Sequence, residues 1–219
     1  NAILVNSEYT FTSSILTLYC RSNNIEHINI MHGEKLFNIR DSFCEFDRFY
    51  IWDEYYKHLL TKLNMPEKQF IVSTPKIKKY GINKKYNHLN VKYYLQLETD
   101  QELEKISSKL KELKVLGYNV FVRPHPRYSD LKKIESIFNG IKIENLDTSI
   151  EESIDSTNYV ISKFSTVLYE AYLRNKNIVI DDISNEKLYE DLKNYEYIMI
   201  SKEHTLLSDI TNFKLNQLY

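Results

Sequence analysis

Residues 119–127 read Asn-Val-Phe-Val-Arg-Pro-His-Pro-Arg, and this stretch decides the fold. Residues 120–122 are a short apolar run of β-branched and aromatic side chains, which predicts a buried strand over 119–122. Pro124 and Pro126 fix their own φ angles and push the residues before them toward extended geometry. The predicted strand therefore runs directly into a stiff turn that holds His125.

The same alternation of strand and helix continues on both sides of this turn. Upstream, residues 91–97 predict a strand, followed by a helix that begins at the Thr99–Asp100 cap and ends at Gly117. Downstream, the pattern predicts helices at 129–138, 149–155, from Ser165 onward and at 186–192, and strands at 141–144, 159–161, 178–180 and 197–200. Strands that alternate with helices through short loops are typical of a parallel sheet in an α/β fold.

The first 75 residues predict a second, shorter α/β region. Its predicted strands are 2–5, 28–31, 49–51 and 70–72, with one helix between the first two strands and another over 53–63. Pro75, Gly81 and many Lys and Asn residues then mark a linker. We therefore expect a partial N-terminal lobe at 1–75, a linker at 76–90 and a C-terminal lobe at 91–219.

Composition excludes several classes of function. The 29 basic and 30 acidic residues leave no excess positive charge for non-specific binding of nucleic acid. The four glycines form neither a P-loop nor a G-x-G-x-x-G fingerprint. Cys20 and Cys44 have no zinc-type Cys/His spacing, which predicts a reducing compartment and no metal site. We also expect neither a signal peptide nor a transmembrane span.

Three polar segments directly follow predicted strands, at residues 31–34, 123–127 and 162–166. Ligands of parallel α/β sheets bind at the carboxyl ends of the strands, so all three segments are candidates for a binding site. This shared position is a stronger indication of function than any one of the segments alone.

The turn at 123–127 predicts a phosphate site. Its stiff backbone aims the imidazole of His125, while Arg123 and Arg127 raise the local positive potential. A histidine placed in this way can donate to a phosphate oxygen and help a phosphate to leave. We include Pro126 in the predicted site. The plainer alternative is a proline-stiffened turn whose histidine caps a helix or faces water.

The segment at 162–166 offers a second way to hold an anion. Ser165 and Thr166 stand at the start of a predicted helix, where backbone N–H groups and the helix dipole favour negative charge. We place Ser162, Ser165 and Thr166 among the predicted phosphate ligands. The alternative is an ordinary Ser/Thr helix cap.

His32-Gly33-Glu34 is the candidate catalytic turn of the first lobe. The glycine permits a sharp turn or a close approach of a ligand. Either His32 or Glu34 can act as general base toward an acceptor hydroxyl. The alternative is a surface turn without catalytic function.

Taken in this order, the segments resemble bacterial GT-B transferases of surface polysaccharides. His125-Pro126 and Ser165-Thr166 resemble the His-Pro and Ser/Thr motifs of the sialyltransferases of capsule and lipooligosaccharide synthesis. Residues 167–171 and 179–182 are similar to the segments that flank those motifs. The acidic triplet that supplies the base in these enzymes is absent, so the base remains either His32 or Glu34.

A second family is also similar, the CDP-glycerol and CDP-ribitol phosphotransferases of teichoic-acid polymers. Their His-Gly histidine serves as base and their Arg-Pro-His-Pro histidine contacts the donor phosphates. By this resemblance His32 and His125 take those two functions.

The resemblance implies a GT-B-like fold of two Rossmann-type lobes with an abbreviated N-terminal lobe. It implies transfer of sialic acid from CMP-sialic acid to a surface glycan, without a metal or other cofactor. Ser165 and Thr166 then hold the CMP phosphate, and His125 stabilises it as it leaves. The expected location is cytoplasmic, with peripheral contact at the inner face of the plasma membrane. The alternatives are transfer of a polyol phosphate and a nucleotide-sugar-binding module without activity.

Overall fold

The computed structural model describes residues 1–6, 12–76 and 89–210. The chain divides into two compact units, one of residues 1–76 with 191–202 and one of residues 77–190 with 203–219. The sequence pattern assigned residues 191–202 to the C-terminal lobe, whereas the structure groups them with the first unit. The predicted linker at 76–90 lies almost entirely outside the described residues.

The first unit is built on a four-stranded parallel sheet whose strands follow one another in chain order. Its described elements are β1 (Ala2–Val5), α1 (Thr12–Ser22), β2 (Glu26–Ile30), β3 (Arg48–Ile51), α2 (Glu54–Lys62) and β4 (Phe70–Val72), with 3-10 helices at Ile39–Phe43 and Glu67–Gln69. Asp53 caps α2, because its side chain accepts a hydrogen bond from the Tyr55 backbone N–H. The predicted strands of this region are confirmed to within two residues.

The second unit carries a six-stranded parallel sheet and most of the remaining elements. In chain order the elements are β5 (Asn90–Tyr94), α3 (Asp100–Val115), β6 (Asn119–Arg123), α4 (Leu131–Ile137), β7 (Lys142–Ile143), α5 (Ile150–Asp155), β8 (Tyr159–Ser162), α6 (Thr166–Leu173), β9 (Asn177–Ile180), α7 (Glu186–Asn194), α8 (Ile198–Ser201) and β10 (Thr205–Leu206). The boundary between the units falls inside α7, and α8 belongs to the first unit.

Local sequence accounts for the ends of α3. The Thr99 hydroxyl accepts from the Glu102 N–H at 3.3 Å, and the Glu102 carboxylate accepts from the Thr99 N–H at 2.7 Å. This reciprocal capping box satisfies two N–H groups that the helix leaves unpaired. At the other end, Gly117 adopts a φ of 86°, a conformation that favours glycine and ends the helix.

The order of strands in the second sheet creates a switch point. The sheet runs β10-β9-β8-β5-β6-β7, with β5 pairing β6 on one side and β8 on the other. The chain passes from β5 outward to β7 and then returns to β8 on the opposite side of β5. Loops at the carboxyl ends of two such strands diverge and leave a crevice, where open α/β sheets bind ligands. The loops after β5 and β8 therefore border the expected binding position.

Residues 197–200 correct one prediction. The run Tyr-Ile-Met-Ile was predicted to be a strand, but Tyr197 precedes the short helix α8 instead. A backbone hydrogen bond from Ile200 N–H to Tyr197 O closes its turn, and Ile198 and Met199 are fully buried. A short apolar run has no distinguishing period, so the pattern could not separate a strand from a buried helical turn. The strand predicted at 91–97 is also shorter and ends at Tyr94.

Candidate functional site

The turn after β6 holds His125 through bonds made within five residues. The His125 backbone N–H donates to Ser129 Oγ at 2.8 Å, and its carbonyl accepts from the N–H groups of Tyr128 and Ser129. The imidazole stacks on the Tyr128 ring, with 4.5 Å between the centroids and 21° between the planes. The ring is therefore fixed by its own turn, as the two prolines predicted.

The hydrogen bonds of His125 also determine which ring nitrogen can face a ligand. Nδ1 accepts from the Arg127 backbone N–H at 3.1 Å, so the neutral ring carries its proton on Nε2. Burial and the neighbouring Arg127 charge lower the pKa of His125 below its ordinary value. At neutral pH the side chain is thus an uncharged donor through Nε2, suited to a hydrogen bond with a phosphate oxygen.

Arg123 has a different function from the predicted one. Its guanidinium pairs with the Glu144 carboxylate at 2.7 Å and donates to the Thr148 carbonyl at 2.8 Å. Glu144 also binds Lys92 at 2.5 Å, and all three charged side chains are at most 12% exposed. Arg123 is thus part of a buried ion network that joins β6 to the segment after β7, and its guanidinium is engaged there rather than offered to a phosphate.

Ser162 is likewise an interior residue. It has no exposed surface, and its hydroxyl donates to the Tyr94 carbonyl at 3.0 Å. The sequence predicted a phosphate ligand here because Ser162 directly precedes the polar loop. The last residue of a central strand instead points its side chain into the unit.

Ser165 and Thr166 differ in their availability. Ser165 is the N-cap of α6, and its hydroxyl accepts from the Val167 N–H at 3.3 Å. Thr166 is exposed at the first position of the helix. The cap that was considered as the alternative is therefore present at Ser165, and an anion site at this helix start remains a prediction that depends on Thr166 and the helix dipole.

Lys163 joins the two loops that border the switch point. This buried ammonium group lies 3.1 Å from Glu102 and 3.5 Å from Glu98. Burial raises the pKa of Glu98, while Lys163 opposes that shift. Sequence analysis did not single out Lys163, Glu98 or Tyr128. The sequence does contain a signal for Tyr128, since an aromatic side chain three residues after the histidine lies in the same turn.

The catalytic turn predicted in the first unit follows β2. His32 is exposed, and the residue before it is anchored, because Met31 O accepts from the Trp52 indole N–H at 3.0 Å. A Cβ added at Gly33 would meet no atom within 4 Å. The described structure therefore leaves open space at the glycine, next to a solvent-accessible imidazole.

Glu34 has the opposite environment to His32. Its Oε1 accepts from the Tyr197 hydroxyl at 3.3 Å, whereas its Oε2 is buried without a hydrogen-bond partner among the described residues. Burial raises the pKa of Glu34 to about 8, against the smaller opposing effects of Tyr197 and Lys35. At neutral pH this carboxyl group is mainly protonated and enclosed. It is therefore not suited to be the general base, the function considered for it as one of two alternatives.

The described residues also bear on metals and membranes. Among them, no cluster of three or more His, Cys, Asp or Glu side chains is arranged to hold a metal ion. None of the helices in the same residues has the length and apolar character needed to cross a bilayer. Independence from metals remains a prediction.

Comparisons with known proteins identify the fold class. No family model and no curated protein sequence matches the chain. Among solved structures, TarM matches with a TM-score of 0.57 and 11% identity, over 98% of this chain and 47% of TarM. A variant of the wall teichoic acid polymerase TagF matches with 0.55 and 13%, over 100% of this chain and 65% of TagF.

A third solved structure extends this likeness. HepE of Anabaena, in complex with UDP and glucose, matches with a TM-score of 0.50 and 10% identity, over 99% of this chain and 77% of HepE. The fold is therefore GT-B-like, with parallel Rossmann-type sheets, as the sequence predicted. The chain spans about half of TarM and just under two thirds of TagF.

Proposed function

We propose that the chain belongs to a GT-B transferase of surface-polymer synthesis, which moves a group from a cytidine nucleotide donor to an acceptor hydroxyl. His32 is the general base and His125 the donor to the nucleotide phosphate. The observation that carries this proposal is the contrast within one turn, where His32 is exposed and the Oε2 atom of Glu34 is buried. A solvent-accessible imidazole is a group suited to accept a proton from a hydroxyl.

The reaction requires only proton and electron movements that these two side chains can assist. His32 accepts the proton of the acceptor hydroxyl while the acceptor oxygen bonds to the reacting centre of the donor. The bond from that centre to the leaving phosphate oxygen breaks, and its electron pair stays on that oxygen. His125 Nε2–H donates to the phosphate as this charge develops, which lowers the barrier because the donor is already oriented.

The identity of the general base indicates which nucleotide donor the chain uses. A histidine base is the pattern of the polyol-phosphate transferases, and the likeness to the teichoic acid polymerase TagF supports the same choice. We therefore place CDP-glycerol or a related CDP-polyol first as donor. CMP-sialic acid is the second candidate, because His125-Pro126 and Ser165-Thr166 retain the order of the sialyltransferase motifs. A glycan or polymer hydroxyl is the expected acceptor.

The test is an assay of transfer by the purified protein with CDP-glycerol and CMP-sialic acid in parallel, with and without a chelator. We expect turnover of CDP-glycerol that chelation leaves unchanged. His125→Ala should lower kcat/KM for the donor by about 100-fold, the usual effect of removing one donor to developing charge. His58→Ala, which alters an exposed histidine of α2, is the matched control.

Each outcome of this assay is informative. Transfer from CMP-sialic acid alone would reverse the order of the two donors. Tight binding of CMP without transfer from either donor would favour a nucleotide-binding module without activity. Activity of the His125→Ala variant within about threefold of the parent would exclude the function given to this histidine.

A further inference from the structure

The segment of residues 195–197 reaches the candidate catalytic turn from the far end of the chain. The Tyr195 carbonyl accepts from the Phe37 N–H at 2.7 Å, and the Tyr197 hydroxyl donates to Glu34 at 3.3 Å. Tyr195 and Tyr197, in the turn between α7 and α8, therefore contact the two ends of residues 34–37. No other hydrogen bond between described residues that involves the Glu34 side chain is present.

The same segment is itself anchored on α2. The Tyr55 hydroxyl donates to the Glu196 carbonyl at 2.9 Å, and Lys62 pairs with the Glu196 carboxylate at 2.8 Å. Further along, Lys202 pairs with Asp53, the cap of α2, at 3.0 Å. Tyr197 is only 1% exposed. The Tyr197 hydroxyl is therefore held in place because its ring is buried and because Glu196 and Lys202, before and after it in the chain, are both bonded to α2 or its cap.

The environment of Glu34 agrees better with an anchor than with a base. A buried carboxylate oxygen without a partner is costly, and the cost falls if the group stays protonated. A protonated carboxyl group can remain beside a tyrosine hydroxyl without bringing a charge into the interior. It holds its place in the turn while the histidine two residues earlier stays exposed.

We propose that Tyr197 and Glu34 form a positioning pair, in which the returning segment of residues 195–197 holds an uncharged Glu34 and thereby orients His32 for proton transfer. This inference rests on the proposed function for its catalytic consequence, but the pair itself can be tested without turnover. In this proposal Tyr197 and Glu34 do not contact the substrate, and both act through His32.

The decisive variant is Glu34→Gln, because glutamine has the shape of a protonated carboxyl group and cannot act as a base. We expect kcat within about threefold of the parent and an unchanged pH dependence of kcat, whereas Glu34→Ala should lower kcat by about tenfold or more. A loss of more than about 100-fold in Glu34→Gln would overturn the proposal and make Glu34 the base.

Tyr197→Phe tests the other member of the pair, with Tyr195→Phe as the matched control at an exposed neighbouring ring. We expect Tyr197→Phe to lower kcat by about three- to tenfold with the KM for the donor unchanged, since one hydrogen bond of ordinary strength is lost. Equal kinetics in the two variants, or a change in donor KM alone, would contradict a positioning function.

A spectroscopic measurement separates this inference from the proposed function. Infrared difference spectra of the parent and Glu34→Gln proteins at neutral pH should contain a protonated carboxyl band that only the parent gives. If that band is present and no transfer occurs with any donor, the proposed function fails and the pair stands. If the band is absent while transfer proceeds, the pair is wrong and the proposed function is unaffected.

Discussion

The two histidine turns of the molecule are built in opposite ways. His125 is fixed by bonds to Arg127, Tyr128 and Ser129, all within four residues. The turn that contains His32 is held by Tyr195 and Tyr197, more than 150 residues further along the chain. A site made from local bonds can be predicted from a short stretch of sequence. A site that depends on hydrogen bonds to residues far along the chain cannot.

The largest expected effect separates the chemical functions of the two histidines. His32→Asn should lower kcat by about 10²- to 10⁴-fold with the donor KM nearly unchanged, because only the proton transfer is lost. His125→Asn should lower kcat/KM for the donor by about 10²- to 10³-fold. Steady-state kinetics over a range of donor concentrations distinguishes the two. Identical changes of kcat and of donor KM in the two variants would remove the contrast.

Arg123 provides the next largest effect, on stability rather than on donor binding. Arg123→Met leaves Glu144 with a buried charge that only Lys92 then balances, so we expect a loss of about 3 kcal/mol in the free energy of unfolding. Urea denaturation measures the loss. Arg127→Met, at an exposed position of the same turn, should change stability by less than about 0.5 kcal/mol. Similar stabilities of the two variants would show that the buried network contributes little.

The pH dependence of stability should have opposite signs at the two turns. The pKa of Glu34 is raised to about 8, so the folded chain keeps a proton that the unfolded chain loses, and its contribution to stability declines as pH rises toward 8. The pKa of His125 is lowered, so its contribution is present above the ordinary histidine pKa and is lost as pH falls below it.

Thermal unfolding of the parent, Glu34→Gln and His125→Gln proteins across this pH range measures both slopes. Glu34→Gln should be stabilised relative to the parent on the alkaline side, and the difference should vanish in acid. His125→Gln should lose the rise in stability that the parent has between mildly acidic and neutral pH. A difference between parent and Glu34→Gln that does not vary with pH would contradict the raised pKa.

The smallest effect concerns the proline stiffening of the second turn. Pro126→Ala should reduce the free energy of unfolding by about 0.4–1 kcal/mol, chiefly because the unfolded chain gains conformational freedom. Donor binding should change little, since the bonds from Ser129 and Arg127 still hold His125. Calorimetric titration with CMP tests this. A large loss of affinity would mean that the prolines rather than these hydrogen bonds orient the imidazole.

The sequence was sufficient for the fold wherever signals were local. The Thr99 cap, Gly117 and the alternation of strands and helices predicted strands β1 to β9 to within a few residues, whereas β10 (Thr205–Leu206) was not predicted. The strand predicted at 197–200 was wrong, because burial rather than periodicity decides the conformation of so short an apolar run. The order of the strands, and with it the switch point beside β5 and β8, depends on pairings between distant segments.

The candidate site was likewise predictable only where its signals were local. The orientation of His125 was predicted from two prolines. Arg123 and Ser162 were predicted to bind the phosphate because they lie close in sequence to His125 and Ser165. Alternation along each strand instead points both side chains into the interior. The choice between His32 and Glu34 could not be made from the turn itself, because burial of the carboxyl group depends on Tyr197.

The grouping of residues 191–202 with the first unit has a consequence for biosynthesis. The first unit is discontinuous in sequence, so a nascent chain that has reached residue 76 still lacks the bonds to Phe37, Glu34, Tyr55 and Lys62. These bonds can form only after strands β5 to β9 of the second unit have been synthesised. The region that is translated first therefore cannot complete its folding until most of the second unit has been made, and a fragment that ends at residue 76 should lack a native catalytic turn.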